Sequence, residues 1–353
     1  MISAVIFDTI IENCYVRANY PKQEVGMKSF TVAANDAGQR MDKFIGKVAP
    51  RLPKSLLYKS IRTKNIKLNG RRAEISSKLT AGDIVSVYLP DEFFEPLSPK
   101  YDFLSAGTAL DIVYEDENIL LANKPQGLLS HPDKNEYGDT LIGRIQRYLY
   151  EKGEYLPEEE NSFKPALANR IDRNTGGIVI AAKNAAALRT LCQKIKDREI
   201  DKRYLAVVHG IPEKQSATLT GYLQKNEEKN RVYMNSRKTD ENRTVKTRYR
   251  VLAKNRNLAL LEIELLTGRT HQIRAHMASI GHPLLGDGKY GRLAEDKKAG
   301  FNKQALWSYS LEFKFTTPAE TLEYLNGRRF AVDKVWFAEQ LFGFKINGSA
   351  AEK

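Results

Sequence analysis

The 353-residue sequence predicts an α+β protein: a mainly antiparallel β-sheet domain, preceded by a small α/β domain. Three observations predict it. Short apolar or alternating runs that read as strands outnumber helical faces. Successive strands are joined by turns more often than by helices. The clearest alternation sets Val245, Thr247, Tyr249 and Val251 between Lys246, Arg248 and Arg250, the period of a half-buried strand.

Hydrophobic residues at 42% and charged residues at 28% are ordinary for a folded globular chain, so a disordered or fibrous class is excluded. The net charge of +13 favours polyanionic partners, nucleic acid or an anionic membrane surface. No apolar run approaches the roughly 20 residues that span a bilayer. Asp8 interrupts the short apolar run at the N-terminus, so no secretion signal is read there. Cys14 and Cys192 are the only cysteines, too few for a disulfide scaffold or a cysteine-rich metal site. That scarcity fits a reducing, cytoplasmic location.

Residues 1–28 fit nothing downstream and read as an extension, with Met27 available as a start. A compact unit is expected over 29–90. Met41, Phe44, Ile45 and Val48 form one helical face, and Pro50 and Pro53 end that helix. A second helix over 54–63 turns Leu57 and Ile61 inward. A strand from Ile66 runs into the Asn69-Gly70 turn, and 84–89 closes the unit. Between residues 37 and 90 there are 12 Lys and Arg against 3 Asp and Glu. Lys54, Lys59, Arg62 and Lys64 lie on or just after the second helix, and Lys67, Arg71 and Arg72 follow on the hairpin. Such a cationic ridge suits phosphates, with an affinity that falls with salt; a merely solvated surface is the alternative. Residues 91–108, acidic and then Pro- and Gly-punctuated, read as a linker.

A second domain is expected over 109–345, with a tail at 346–353. Residues 119–122 read as a buried strand followed by a turn at 123–127, and 151–164 as a polar, exposed loop. At the centre of this domain, Asp172 stands between Arg170 and Arg173, just before the apolar run 178–182. Gly176 and Gly177 permit a sharp turn or a close approach. A reactive carboxylate and a structural ion pair both fit this stretch. Asn184 is a helix N-cap, and Leu188, Leu191, Cys192 and Ile195 form that helix's inner face, making Cys192 a core residue. Strands follow at 202–208, 245–251 and 258–266. Thr270 then caps a helix with Ile273, His276, Met277 and Ile280 inward and Gly281 at its end. A strand at 303–315 and a helix at 332–341 finish the domain.

Several chemistries are excluded. The three glycines of 286–291 do not follow a strand and open a helix, so they are no dinucleotide loop. His271, His276 and His282 lack metal-ligand spacing. Asp172 has no second carboxylate nearby of the kind a glycosidase needs, and no serine carries a hydrolase's flanking glycines. Neither metal nor cofactor is expected. What remains is one carboxylate, which a nearby guanidinium such as Arg269 or Arg274 would keep ionised.

Two resemblances sharpen this reading. Over about 38–90, Lys54-Ser-Leu-Leu-Tyr58, Ile66-Lys-Leu-Asn-Gly70 and Gly82-Asp-Ile-Val85 resemble the small RNA-binding module with the αL motif, found in a ribosomal small-subunit protein. Over about 110–320, four stretches occur in order: Asn169-Arg-Ile-Asp-Arg-Asn-Thr-Gly-Gly177, Lys202-Arg-Tyr-Leu-Ala-Val-Val-His-Gly210, Thr267-Gly-Arg-Thr-His-Gln-Ile-Arg274 and Gly281-His-Pro-Leu-Leu-Gly-Asp287. Together with Asn123-Lys-Pro-Gln-Gly-Leu128 they resemble pseudouridine synthases of the RluA type. The resemblance implies a catalytic domain of pseudouridine synthase type that isomerises uridine in RNA. It implies Asp172 as the catalytic aspartate, Tyr204 as the active-site tyrosine and Arg274 as the arginine paired with Asp172. Arg170 resembles the arginine that fills the space left by a flipped base. RNA contacts are expected from Arg170, Arg173, Arg269, His271, Lys54, Lys59, Arg62, Lys64, Lys67 and Arg71. The family usually has His where Asn169 stands. The implied partner is RNA, chiefly large-subunit ribosomal RNA, for a monomer that touches no membrane. A transfer-RNA enzyme of the same type and a non-catalytic RNA-binding or ribosome-assembly protein are the alternatives.

Overall fold

The computed structural model describes residues 26–97, 100–133, 138–226 and 231–346. Residues 1–25 of the expected extension and 347–353 of the expected tail lie outside them. The chain divides into two compact units, with the boundary between Lys100 and Tyr101.

In the first unit, strand β1 (Met27–Thr31), helices α1 (Met41–Val48) and α2 (Lys54–Arg62), and strands β2 (Ile66–Leu68), β3 (Arg71–Arg72) and β4 (Ile84–Tyr88) follow in order. The sheet order is β1-β4-β2-β3, every pairing antiparallel. Met41, Phe44, Ile45 and Val48 are all buried, as the helical spacing requires. They pack on Leu57, Ile61, Ile66, Val85 and Val87. Asn69 and Gly70 both have positive φ, the requirement of a two-residue hairpin turn. The Asn69 side chain then accepts from the Ile84 N–H and donates to Asp83, each at 2.8 Å. β1 begins at Met27, two residues ahead of the expected start, because Met27 and Lys28 continue its pairing with β4.

The second unit opens earlier than the expected linker allows. Phe103, on a short 3₁₀ turn at Asp102–Ser105, is buried among Leu120, Leu141 and Leu149. The unit contains β5 (Ile112–Glu115), β6 (Ile119–Lys124), α3 (Leu141–Glu151), β7 (Ala166–Leu167), β8 (Gly176–Ala182), α4 (Ala185–Lys196) and β9 (Ile200–His209). It continues through β10 (Ser216–Asn226), β11 (Arg231–Asn235), β12 (Arg243–Asn255), β13 (Leu258–Leu265), α5 (Gln272–Ser279), α6 (Leu293–Lys298), β14 (Leu306–Phe313), β15 (Arg329–Ala331) and α7 (Trp336–Phe342). Among the described residues these strands form one sheet in the order β11-β10-β12-β13-β9-β14-β8-β6-β5, with β15 on β14 and β7 on β8. All pairings are antiparallel except the short parallel contact of β14 with β8.

Alternating side chains divide the core by face. Ile178 and Ile180 of β8 join Leu205 and Val207 of β9 under α4 and α7. On the other face the core is split. Val179 and Ala181 pack with α3, whereas Tyr204, Ala206 and Val208 pack with Ile273 and Met277 of α5. The seam between these two clusters meets the β8–β14 junction. There Gly177 has φ +111°, and a Cβ would sit 2.2 Å from the Ser308 carbonyl oxygen. A Cβ on Gly176 would strike the Trp307 ring at 2.3 Å. The paired glycines therefore let two strands meet where side chains would hold them apart. Gly177→Ala is expected to destabilise the protein by about 3 kcal/mol or more through backbone strain and overpacking, read from the urea midpoint at constant m.

Some expectations fail: Ile280, expected on the inner face of α5, is 38% exposed. Cys192 is exposed; the inner stripe of α4 is Ala187, Thr190, Leu191 and Lys194. Lys194 can turn inward because Glu199 meets it at 2.6 Å in the interior. The stretch 151–164 is not a wholly exposed loop, since Tyr155 and Phe163 are buried. Among the described residues, no helix is long and apolar enough to cross a membrane.

Candidate active site

Asp172 lies in the loop between β7 and β8, and that loop is tied down at several backbone atoms. The buried Lys124 ammonium donates to the carbonyls of Pro125, Leu128 and Arg173 at 2.7–3.0 Å. Burial presses the Lys124 pKa down to about 7, the Asp172 charge opposes this, and Lys303 and Arg173 reinforce it. Ser130 donates to the Ile171 carbonyl at 3.0 Å, and the Thr175 N–H closes a turn on the Asp172 carbonyl at 3.0 Å. Asn169 accepts from the Ile180 N–H at 2.9 Å, extending the β7–β8 pairing by a side chain. That contact needs an acceptor and no titrating ring, so Asn serves it where the family usually has His.

Arg274, on α5, donates from Nη1 to Asp172 Oδ2 at 3.1 Å. Its Nε and Nη2 form a fork on the two oxygens of Asp287, each at 2.8 Å. Such bidentate pairing fixes the guanidinium plane as well as its charge. Asp287 is fully buried; burial resists its ionisation, but the Arg274 fork and the N–H groups of Lys289 and Tyr290 hold its pKa below the usual range. The guanidinium is thus compensated from behind, and its Nη1 aims at Asp172, which is 26% exposed.

His271 and Tyr290 complete this wall. His271 has left-handed backbone (φ 55°) at the start of α5, in the capping place expected for Thr270. Its Nε2 is 3.6 Å from Asp172 Oδ2 and its Nδ1 is 3.1 Å from the Tyr290 hydroxyl. Burial drives the His271 pKa down to about 4, against the Asp172 charge and with that of Arg274, so the ring is neutral at pH 7. The Tyr290 ring faces the guanidinium groups of Arg274 and Arg231 at 5.3 and 5.0 Å. Its hydroxyl accepts from the Val232 N–H at 2.9 Å.

His276, one turn further along α5, is 3% exposed and contacts Thr247 Oγ1 at 3.0 Å. Burial holds its pKa near 4 against an ordinary 6.5. The unfolded chain therefore takes up this proton first as pH falls, and stability drops between pH 6.5 and 4. The cost is on the order of 3 kcal/mol for His276. Urea unfolding across that range should show the loss, and His276→Gln should lessen the slope by about one proton.

Tyr204, on β9, lies on the cleft floor, 6% exposed. Burial pushes its phenol up to about 12, and the Asp172 charge adds to the rise. It is a neutral ring at pH 7, able to stack and to donate one hydrogen bond. Asp172, Arg274 and Tyr204 line a single cleft of about 700 Å³, together with Arg170, Arg269 and His271. Arg173 is not among its lining residues; its Nε donates to the Gly127 carbonyl at 3.0 Å, because the turn at 123–127 folds over the loop there. Lys54, Lys59, Arg62, Lys64 and Arg71 are exposed on the first unit, and Lys67 lies over the Tyr88 ring at 5.1 Å. Asp287, Tyr290 and Lys124 were not singled out from sequence. The available signal was position: Asp287 ends the 281–287 stretch, and Lys124 closes an apolar strand. Among the described residues no three His, Cys, Asp or Glu side chains gather as a metal site.

The cleft can hold a carboxylate against a nucleoside-sized ligand, with a ring for the base and cations for phosphate. Comparison with known proteins agrees. Residues 118–279 match the RNA pseudouridylate synthase family. The RNA pseudouridine synthase YlyB of Bacillus subtilis is 31% identical over 294 residues, which cover 83% of this chain and 92% of that one. Ribosomal large subunit pseudouridine synthase C of Haemophilus ducreyi is 32% identical over 301 residues, 83% and 89% of the two chains. The Escherichia coli protein of the same name is 31% identical over 303 residues, with the same coverage. The solved structure of human RNA pseudouridylate synthase domain containing 4 shares the fold, with a TM-score of 0.50 over 66% of this chain and 92% of that one, at 19% identity. The extent of this similarity makes the chain a member of the RNA pseudouridine synthase family.

Proposed function

We propose that the chain converts particular uridines of large-subunit ribosomal RNA to pseudouridine, with Asp172 as the acting carboxylate. The observation that carries this is the 3.1 Å contact between Asp172 and an Arg274 already compensated by Asp287. A guanidinium so placed gives the carboxylate a charge-assisted hydrogen bond and fixes its direction. The names of the Haemophilus and Escherichia relatives favour the ribosomal substrate. A cytoplasmic location goes with that substrate. Each copy carries a whole cleft, as a monomeric enzyme requires.

The reaction breaks the bond from N1 of uracil to C1′ of ribose, turns the base, and joins C5 to C1′. C5 gives up its proton and N1 gains one, so atoms and electrons balance. Asp172 either attacks the sugar or otherwise promotes cleavage. Tyr204 stacks on the uracil ring. As a neutral phenol it donates a hydrogen bond to the detached base and takes no proton unaided at pH 7. Arg170, exposed at the cleft edge, fills the space the base vacates. Extruding the base costs a few kcal/mol, which phosphate contacts elsewhere can offset. The cationic α2 and hairpin of the first unit supply such contacts.

Mapping pseudouridine in cells lacking the chain tests the substrate. Loss confined to large-subunit ribosomal RNA is expected. Loss confined to transfer RNA would assign the other substrate, and an unchanged map would overturn the enzymatic reading.

A further inference from the structure

The cleft that contains Asp172 extends to the turn between α4 and β9, where the charges are unevenly matched. Over 194–202 the sequence alternates Lys194, Lys196, Asp197, Arg198, Glu199, Asp201 and Lys202. Each acid there already has a partner. Asp197 accepts from Gln193 at 2.6 Å, Glu199 meets Lys194 at 2.6 Å and Thr317 at 3.1 Å, and Asp201 meets Lys314 at 2.7 Å. Lys196, Arg198 and Lys202 have no carboxylate within ion-pair distance among the described residues, and all three line the cavity that contains Asp172. Two acids share that wall, Asp201 on Lys314 and Glu264 on Arg248, so neither is left to neutralise them.

We propose that Lys196, Arg198 and Lys202 form an anionic subsite that holds a backbone phosphodiester of the RNA strand beside the extruded uridine. This rests on the isomerase reading above. Lys202 precedes Tyr204 by two residues on β9, so both side chains leave the same face of the sheet, about 7 Å apart along the strand. The base platform and one of the three cations are thus neighbours on one rigid element. Burial, with the Arg198 charge added, works against the charged form of Lys202. Three like charges facing one cleft, whose acids Asp172, Asp201 and Glu264 are each held by another cation, are unfavourable in the free protein, and a phosphodiester entering between them relieves that. An apolar or neutral ligand would not. The cavity of about 700 Å³ has room for more than the nucleoside, and the strand carrying that nucleoside necessarily brings phosphates with it.

The test uses the full chain with the triple variant Lys196→Gln/Arg198→Gln/Lys202→Gln. A control variant, Lys297→Gln/Lys298→Gln/Lys345→Gln, removes the same charge from exposed positions outside the cleft. Affinity for a large-subunit ribosomal RNA fragment is measured across a salt series. The cleft variant is expected to bind 10- to 100-fold more weakly at low salt, with a log–log salt slope shallower by about 2. The control is expected to leave the slope near wild type. Equal slopes for the two variants would overturn the subsite. Lys202→Arg, which keeps the charge, is expected to keep the slope, and a slope lost there would also count against it. A wild-type protein that isomerises no uridine would sink the isomerase reading instead, while the comparison of slopes would still decide whether these three cations hold phosphate.

Discussion

Asp172→Asn is expected to leave the fold and RNA binding in place and to stop pseudouridine formation. The change keeps size and removes charge. It does not strand Arg274, because the guanidinium's bidentate partner is Asp287. Asp172 is also 26% exposed, so the carboxylate is not the counter-charge on which burial of Arg274 depends. Stability should change by less than about 1 kcal/mol. Turnover should fall by roughly 10³-fold or more, the scale on which one member of a catalytic unit registers. The amide can neither attack the sugar nor stabilise positive charge on it. Binding and single-turnover rate, measured on the same preparation, separate the two effects.

Asp287→Asn should behave in the opposite way. Asp287 is fully buried and receives two N–H groups of Arg274 and the backbone N–H groups of Lys289 and Tyr290. The variant turns an NH₂ group towards a guanidinium that can only donate. Removing one partner of a buried ion pair costs about 3–5 kcal/mol. In a unit of this size that lowers the melting temperature by on the order of 10 °C. Activity should fall as well, because Arg274 loses the fork that aims it at Asp172. Thermal unfolding and tritium release read these two losses. A stable and fully active Asp287→Asn would show that Arg274 needs no second carboxylate.

The contrast between these two aspartates marks how far the sequence was legible. Asp172, Tyr204 and Arg274 stood in spaced motifs, and the structure places all three on one cleft. Asp287 lies in a glycine-rich stretch that was weighed as a nucleotide loop. Its pairing with Arg274, across 13 residues and a loop, has no local period that a sequence displays. Lys124 was hidden similarly: a lysine at the end of an apolar strand looks like a surface residue unless three carbonyls are known to surround it. Met41, Phe44, Ile45 and Val48 were read correctly because helical spacing alone determines that face. On α4 the same method failed at Cys192, since an ion pair between Lys194 and Glu199 redrew the buried stripe. Tyr155 and Phe163 were lost inside a run dominated by glutamates. Periodic burial is written locally, whereas paired charges in the interior are not.

Nucleoside analysis tests most directly whether an aspartate aimed by Arg274 isomerises uridine. An RNA substrate labelled with tritium at C5 of uridine is incubated with stoichiometric wild type or Asp172→Asn, then digested and resolved into nucleosides. Wild type is expected to release one tritium for each pseudouridine formed, and Asp172→Asn neither tritium nor pseudouridine. Pseudouridine formed by Asp172→Asn at a rate near wild type would contradict the assignment of the carboxylate.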